Sequence, residues 1–390
     1  MIYKCPVCLS PDHTEIFSTR SPVHFLVEAG REPGAEGFHQ LNVHLCPHCG
    51  HMFNRAFSDA LAERLYGNVP LTNVPVNPSM HRRFQDLIDW IPEALVSGQE
   101  VLEIGGGSGH VARLLATVAS TVIVFEPSTH LSGDMLPEPN ITLIPRTYPD
   151  TRNPVEVDFV LCRNVLEHVA DPARMMRDIR TSLRPGGHAY LEVPDMRYIV
   201  EHVAVPDLHL QHVQYFTRRN FIALAAAQGL QAIDLLDIKE GHDFGVLFEA
   251  AKVEPLNDLY VEHPEAVSLG LNISDRVKEI RTHVESLNGK IALYGATPHG
   301  QVFLNALGGA GTFSAVLDDN PRNDGFAFYD EHCTVPVRPA TSDAVLENDA
   351  IIITAYLHDT VIANRLRDLG FFGEILTIRP DPRAGELRAL

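Results

Sequence analysis

The chain has 390 residues, a formal net charge of −19 at pH 7 and 45% hydrophobic residues. This length predicts two or three folded domains. The acidic charge and the lack of a basic stripe argue against a nucleic-acid binder, which needs clustered Lys and Arg to neutralise phosphates. No apolar run is long enough to span a bilayer and no secretory apolar segment opens the sequence. We therefore expect a cytoplasmic protein that binds neither nucleic acid nor membrane.

Four of the six cysteines form two Cys-x-x-Cys pairs, Cys5 with Cys8 and Cys46 with Cys49. Two such pairs supply the four tetrahedral ligands that Zn²⁺ prefers. Disulfides are disfavoured in a reducing cytoplasm, and a redox motif needs only one pair. The spacing predicts a closed, structural Zn²⁺ site with all four cysteines as ligands, in a zinc-binding module over residues 1–60.

Residues 61–98 are predicted to be a helical connector. Three prolines between Asn68 and Pro78 indicate an irregular loop. Apolar residues at helical spacing then predict a helix from Met80 to Ile91.

Short apolar strands alternate with helices from residue 99 to residue 253, which predicts an α/β domain with a parallel sheet covered on both faces. Its predicted strands are Val101–Ile104, Val122–Phe125, Ile141–Ile144, Asp158–Leu161 and His188–Val193. A smaller α/β domain is predicted over residues 254–390, after a helical connector. Its predicted strands are Ile291–Tyr294, Ser314–Leu317, Ala350–Thr354 and Glu374–Thr377.

A glycine-rich turn follows the first strand of the central domain and reads Gly105-Gly106-Gly107-Ser108-Gly109. Glycines let a ligand approach the backbone closely, and the next helix begins at the same crevice. A phosphate-binding P-loop would end in Gly-Lys-Ser/Thr, and a dinucleotide turn would read G-x-G-x-x-G. Neither pattern fits. Carboxylates flank the turn, with Glu103 before it and Glu126 at the end of the second strand.

This stretch resembles the E/D-x-G-x-G-x-G loop of class I S-adenosylmethionine (SAM)-dependent methyltransferases. Further motifs are similar in order and spacing, namely Glu126, Asn164-Val165-Leu166-Glu167-His168-Val169 and Leu183-Arg184-Pro185-Gly186-Gly187. The resemblance implies a Rossmann-like central domain with SAM as cofactor. It implies that the methionine end of SAM is lined by Glu103, Gly105, Gly107 and Gly109. It further implies that Glu126 binds the ribose and that Asn164 lies near the methionine or sulfonium.

The whole chain resembles the sugar-nucleotide C-methyltransferases that place methyl branches on deoxysugars. These enzymes combine a four-cysteine zinc module, a central SAM domain and a C-terminal Rossmann-like domain without its own dinucleotide. Segments similar to that C-terminal domain are Tyr294–Gly300, Asp318–Pro321 and Val335–Pro339. The resemblance implies C-methylation of a nucleotide-linked keto-deoxysugar in natural-product biosynthesis. Contacts to the substrate's nucleotide are then expected from Gly295, Gly300 and Arg338. The alternative is that this domain is a packing or dimer scaffold.

The chain departs from that family in its acid/base segment, which reads Y-x-E-H-x-x-x-F-S/T in the family. Here His209 replaces the Tyr and Gln211 replaces the Glu, whereas His212, Phe216 and Thr217 match. The family's H-G-G feature is also only partly matched, by His242-Asp243-Phe244-Gly245. O- or N-methylation of another sugar or natural-product intermediate is therefore the alternative reading. A third is a non-catalytic zinc protein that binds SAM.

The chemistry requires an acceptor aligned with an activated methyl group and one proton to be managed. Neutral His can serve as the base near pH 7. We predict His212 as the general base, with His168 and His209 orienting it or binding the acceptor oxygen. Gln211 and His242 are predicted substrate contacts. The sequence thus predicts a small-molecule substrate, with a sugar nucleotide as the first candidate, and does not give the oligomeric state.

Overall fold

The computed structural model describes residues 1–31, 37–66, 78–128, 131–150, 154–257, 259–309, 312–379 and 387–390. The loop predicted for residues 68–78 lies outside these ranges, apart from Pro78. The chain divides into two compact units. Unit 1 comprises Met1–Thr14, His44–Met196 and Val213–Pro264, and unit 2 comprises Glu15–Val43, Arg197–His212 and Glu265–Leu390. This division differs from the predicted domain boundaries, because residues 15–43 and 197–212 group with the C-terminal part of the chain.

The strands are β1 (Thr14–Pro22), β2 (Val27–Glu28), β3 (Phe38–Leu45), β4 (Met52–Asn54), β5 (Glu100–Ile104), β6 (Thr121–Phe125), β7 (Ile141–Ile144), β8 (Val157–Arg163), β9 (Leu183–Pro194), β10 (Gln214–Tyr215), β11 (Leu230–Ile238), β12 (Asp243–Ala250), β13 (Ile291–Tyr294), β14 (Phe313–Asp318), β15 (Phe326–Tyr329), β16 (Thr334–Pro339), β17 (Ala350–Ile353), β18 (Glu374–Thr377) and β19 (Arg388–Ala389). The helices are α1 (Asp59–Tyr66), α2 (Pro78–Trp90), α3 (His110–Ala116), α4 (Pro172–Ser182), α5 (Met196–His202), α6 (Arg218–Ala226), α7 (Leu269–Ser286), α8 (Pro298–Leu307), α9 (Ser342–Leu346) and α10 (Asp359–Asp368).

Unit 1 is built on a seven-stranded sheet in the order β11-β12-β9-β8-β5-β6-β7. The five strands predicted from the sequence correspond to β5, β6, β7, β8 and β9, and neighbouring members of this set pair in parallel. Most residues of these strands are buried, with Val101 and Leu102 fully inaccessible, as expected for a sheet covered by helices. The edge strand β7 is only partly buried. The sequence analysis missed β12 and β11, which pair antiparallel at one edge. The residues of β11 are mostly exposed, so they lack a continuous apolar run.

The two cysteine pairs belong to the core of unit 1. Cys5, Cys46 and Cys49 are fully buried in the same apolar cluster as Leu102 and Phe216. In the same unit β4 pairs with β10. The part of the predicted N-terminal module that carries the cysteine pairs is therefore packed into the central domain.

Unit 2 is built on an eight-stranded sheet in the order β19-β18-β17-β13-β14-β16-β15-β2. The four predicted strands are β13, β14, β17 and β18, and neighbouring members pair in parallel. The segment between the cysteine pairs contributes β2, which pairs antiparallel with β15. The Tyr329 hydroxyl donates to the carbonyl of His24 at 2.7 Å. Sequence analysis assigned no strands to residues 1–60, because the apolar positions of β1 and β3 are interspersed with polar ones.

Among the described residues, no helix combines the length and the apolar composition that crossing a membrane requires. The longest helix is α7, with 18 residues, and only one side of it is buried.

Candidate functional site

The four cysteine sulfurs come together in unit 1. Sγ of Cys5 lies 3.6 Å from Sγ of Cys49, and Sγ of Cys8 lies 3.5 Å from Sγ of Cys46. All four sulfurs lie within 4.8 Å of one another. Four sulfurs bound at about 2.3 Å in a tetrahedron would be about 3.8 Å apart. The cluster therefore has the donor set and the size to hold one tetrahedral metal ion.

Both pairs form the same tight turn. The Leu9 N–H donates to the carbonyl of Cys5, and the Gly50 N–H donates to the carbonyl of Cys46, each at 2.9 Å. Leu9 and Gly50 both have positive φ, +61° and +72°. A residue in the left-handed conformation closes each turn. This conformation is more strained for Leu9 than for Gly50, because glycine has no Cβ.

The glycine-rich turn after β5 has one position that is open to a ligand. A side chain at Gly106 or Gly109 would collide with Val124 or Leu136, so packing alone requires glycine there. Gly105, at φ +77°, meets Val165 in the same way. A Cβ at Gly107, by contrast, would meet no atom within 4 Å, although its φ is +54°. This open backbone suits a bound cofactor.

Glu126 faces the turn. Its carboxylate accepts hydrogen bonds from the N–H groups of Gly107 at 2.7 Å and Ser128 at 2.8 Å. These two bonds fix the carboxylate at the carboxyl ends of β5 and β6, where ligands bind in open α/β sheets. The sequence-based prediction of Glu126 as the ribose contact is compatible with this position.

Glu103 is a buried carboxyl group with one oxygen unsatisfied. Its side chain is 3% exposed and Oε2 has no hydrogen-bond partner. Burial raises its pKa from 4.5 to about 8, in spite of the favourable charge of Arg163. An unsatisfied buried carboxyl oxygen is costly unless a donor reaches it. The ammonium of the SAM methionine portion is a donor that would satisfy it, so Glu103 and Gly107 fit the predicted cofactor.

A buried ion pair that sequence analysis missed lies at the carboxyl end of β8. Arg163 binds Glu192 through two hydrogen bonds of 2.9 and 3.1 Å, and its guanidinium lies 4.9 Å from the ring centre of Phe84. The next residue, Asn164, has a φ of +51°, and its N–H donates to the carbonyl of Glu192. Asn164, predicted to lie near the cofactor, is thus held in a sharp turn after the strand.

His168 and His242 both belong to unit 1. His168 Nε2 is 3.7 Å from the carboxylate of Glu167, a buried group whose pKa burial raises to about 8. His242 is buried, and its Nδ1 donates to Asp243 at 2.5 Å. Lys239 also pairs with Asp243.

The other predicted catalytic residues come together in unit 2. The rings of His209 and His212 are 3.9 Å apart between centroids, and His209 Nδ1 donates to Gln211 Oε1 at 2.8 Å. Both histidines are buried, at 6% and 8% exposure. His209 is therefore not the exposed loop residue that sequence alone would have allowed.

Three further residues of unit 2 extend this cluster. The ring of His299, at the start of α8, lies 6.4 Å from that of His209. His299 Nε2 donates to Asp207 at 3.0 Å, and the Tyr356 hydroxyl donates to the other oxygen of Asp207 at 2.8 Å. Sequence analysis missed all three. The available signal was the position of His299 inside the Tyr294–Gly300 segment.

The predicted nucleotide contacts Gly295, Gly300 and Arg338 each contact other residues of unit 2. A Cβ at Gly295 would lie 2.7 Å from the Cβ of Ala355, and one at Gly300 would lie 2.7 Å from Thr354 Oγ1. The Ala296 N–H in this turn donates to Asp318 at 2.6 Å. Packing accounts for both glycines, and a carboxylate occupies the turn where a dinucleotide fold would bind phosphate. Arg338 pairs with Glu347 at the surface.

Comparison with known proteins gives the enzyme class. Residues 79–235, from α2 into β11, match a family model described as a methyltransferase domain. The chain therefore carries a methyltransferase domain. Among curated proteins, the chain is 29% identical over 181 residues to a ubiquinone biosynthesis O-methyltransferase of Vibrio parahaemolyticus, covering 42% of this chain and 71% of the relative. A protein of the same name from Cupriavidus pinatubonensis is 30% identical over 115 residues, covering 27% of this chain and 45% of the relative.

Similar solved structures include an S-adenosylmethionine-dependent methyltransferase from Mesorhizobium loti, with a TM-score of 0.36, 17% identity and coverage of 42% of this chain and 96% of that one. Another is the N-methyltransferase NodS from Bradyrhizobium japonicum in complex with S-adenosyl-L-homocysteine, with a TM-score of 0.37 and 14% identity. The match covers 46% of this chain and 90% of that one. Except for the Vibrio protein, the chain spans about half of the first curated relatives' length or less.

Proposed function

We propose that the chain is a SAM-dependent methyltransferase that C-methylates a nucleotide-linked keto-deoxysugar, with His212 as the general base. The observation that carries the proposal is the unit 2 cluster. The segment before β10 supplies His209, Gln211 and His212, and the C-terminal Rossmann-like part supplies His299 beside them. A C-terminal domain that adds a polar group to the predicted acid/base cluster is better explained as part of the acceptor site than as a scaffold.

Each residue of the cluster has a definite task. Bound SAM supplies the activated methyl group. His212 takes a proton from the carbon beside the ketone, and the electron pair moves onto the ketone oxygen. His209 donates Nδ1–H to Gln211, and we assign its ring the task of binding the acceptor oxygen or orienting His212. Burial of His209 and His212 strengthens these polar contacts.

Chain connectivity supports His212 as the base. The next residue, Val213, donates its N–H to the carbonyl of Glu167 at 2.7 Å. Glu167 follows Asn164 in the loop after β8. This loop lies at the carboxyl ends of the strands, as do Glu103 and Glu126. The segment that carries His212 therefore continues directly into a residue anchored on the loop predicted to face the cofactor.

We also propose that the four-cysteine cluster holds a structural Zn²⁺. All four protein ligands are present, which leaves no open coordination position for catalysis. The sulfur-sulfur distances of 3.5 and 3.6 Å and the paired tight turns support this assignment.

O-methylation of a small hydroxylated acceptor is the second candidate, because the curated relatives are named as O-methyltransferases. Their similarity is confined to 26–42% of this chain. A hydroxyl acceptor would need only the base and no group to stabilise an enolate.

The test is turnover of SAM with nucleotide-linked 4-keto-deoxysugars, their 4-hydroxy counterparts and a polyprenyl-substituted phenol, with NMR used to locate the new methyl group. We expect a ring-carbon methyl from keto substrates alone. His212→Asn should lower kcat by roughly a hundred- to ten-thousand-fold and leave the Kd of SAM unchanged. His332→Asn, at an exposed histidine of unit 2, is the matched control. A methyl on oxygen, or full activity of His212→Asn, would overturn the proposal.

A further inference from the structure

We propose that Asp207 is a positioning residue and that His299, which it holds, contacts the acceptor oxygen during methyl transfer. Neither residue belongs to a motif that the sequence analysis identified as catalytic. The inference rests on the proposed function, because it assigns a role within the same acceptor site. It is carried by the geometry of Asp207, His299 and Tyr356, all in unit 2.

Asp207 is a buried carboxylate with a donor on each oxygen. It ends the short turn Val205–Asp207 and is 1% exposed. Oδ1 accepts from His299 Nε2 at 3.0 Å, and Oδ2 accepts from the Tyr356 hydroxyl at 2.8 Å. Tyr356 is fully buried, so its hydroxyl is a fixed anchor. A carboxylate with both oxygens engaged in this way cannot rotate freely, and it therefore fixes the plane of the His299 ring.

The backbone of His299 is fixed as well. The Thr297 side chain caps α8 by accepting the Gly300 N–H, and Pro298 occupies the first position of the helix. Residue 299 therefore has a set backbone conformation, and its ring lies 5.3 Å from that of Tyr356 and 6.4 Å from that of His209. Unlike its two partners, the side chain of His299 retains 21% exposure. A partly exposed ring on a buried carboxylate is the arrangement of a histidine directed at a ligand.

The hydrogen bond to Asp207 determines the chemistry available to His299. With Nε2–H donated to the carboxylate, we assign Nδ1 as the ring nitrogen that contacts the oxygen of the methyl acceptor. When His212 takes the acceptor's C–H proton, the electron pair moves to the ketone oxygen, and Nδ1–H of a protonated His299 meets the new charge. The carbon then forms a bond to the methyl group, for which the sulfur–methyl bond of bound SAM would break with its electron pair left on the sulfur of S-adenosylhomocysteine. The proton on His212 passes to solvent. Asp207 compensates the charge of the imidazolium without accepting its proton.

The first experiment tests the positioning without turnover. ¹⁵N NMR of histidine-labelled protein, with the His299 signals assigned by His299→Gln, should show Nε2 protonated in the SAM-bound enzyme. Asp207→Asn should change this pattern, because a carboxamide can donate as well as accept. An Nδ1-protonated neutral ring in the unaltered protein, or an unchanged pattern in Asp207→Asn, would overturn the positioning role, whatever substrate the enzyme uses.

The second experiment measures kcat, KM and the pH profile with the best acceptor found. Asp207→Asn and His299→Gln should each lower kcat by roughly a hundred- to ten-thousand-fold and alter one limb of the profile, with the Kd of SAM unchanged. The double variant should lose little more, since the two residues act as one device. Tyr356→Phe should give a smaller loss.

Matched controls separate this role from a structural one. Asp359 is also a buried carboxylate of unit 2, but it pairs with Arg379. Asp359→Asn should lower Tm without altering the pH profile. Tyr294→Phe is the control for Tyr356→Phe, because it also removes the hydroxyl of a buried tyrosine that donates to an aspartate, here Asp319. If Asp207→Asn lowers only Tm, as Asp359→Asn does, the proposal is wrong. Loss of the predicted substrate's turnover with an intact tautomer result would reject the proposed function instead.

Discussion

The Gly107 N–H donates a 2.7 Å hydrogen bond to Oε2 of Glu126. This bond joins the turn after β5 to the end of β6. It holds the Glu126 carboxylate beside Gly107, the position of the turn at which an added Cβ would meet no atom within 4 Å. A ligand with a diol and a short aliphatic chain could approach both groups, which is the shape of a nucleoside with an amino-acid tail.

Glu126→Gln should weaken SAM binding by about 10- to 100-fold, because a hydrogen bond to a charged group contributes about 1.5–3 kcal/mol. Isothermal titration with SAM or its demethylated product measures the change. Glu347→Gln, which alters a surface carboxylate paired with Arg338, should bind normally. An unchanged affinity in Glu126→Gln would remove this residue from the cofactor site.

Gly107→Ala should fold and yet bind SAM weakly. The left-handed backbone costs alanine about 1 kcal/mol, and the added methyl group would occupy the open space in which we propose that the cofactor binds. Gly186→Ala is the matched control, since Gly186 has a φ of +77° and no atom within 4 Å of a Cβ. Both variants should lose similar stability in urea titrations, whereas only Gly107→Ala should lose affinity, by about tenfold or more, which corresponds to about 1.4 kcal/mol.

The SAM-free protein should lose stability as pH rises from 6 to 8. Burial raises the pKa of Glu103 and of Glu167 from 4.5 to about 8. The folded state therefore holds protons that the unfolded chain releases above about pH 5, and stability falls with pH until the folded-state pKa is passed.

Urea titrations at pH 6 and pH 8 measure this slope. Glu103→Gln should flatten it, because an amide has no proton to release in this range. Glu279→Gln, at an exposed site on α7, should retain the full slope. A slope identical in Glu103→Gln and the unaltered protein would contradict the assignment of a raised pKa to Glu103.

Cys46→Ser should abolish stoichiometric zinc and lower Tm by roughly 10 °C or more, since a structural zinc contributes on the order of 10 kcal/mol to folding. Metal analysis of the purified protein and thermal melts with and without a strong chelator measure both effects. Cys333→Ser, at a partly exposed cysteine outside the cluster, should keep one zinc per chain. Full stability without metal would show that apolar packing alone holds the two turns together.

The parallel strands were predictable because each is a short, predominantly apolar segment, as in Ile141–Ile144, which matches β7 at both ends and contains one polar residue, Thr142. The N-cap role of Thr217 was also predictable from local sequence, and its side chain accepts the Asn220 N–H. By contrast, β9 begins at Leu183, earlier than the predicted His188, since Pro185 and the glycines after it continue the strand. Pairing with β8, a non-local effect, determines this start.

The sequence by itself determined which residue types lie at the two predicted sites and the local backbone geometry around them. The cysteine spacing and the glycine turn with its two carboxylates are short-range features, in which neighbouring residues restrict each other's backbone. Only the tertiary structure decided which distant residues meet. It placed β2 beside β15 and brought Asp207, His299 and Tyr356 together, although Asp207 and Tyr356 are separated by 149 residues. Such contacts depend on sheet order and on the burial of a few polar groups that must find partners, and neither quantity is encoded in residue spacing.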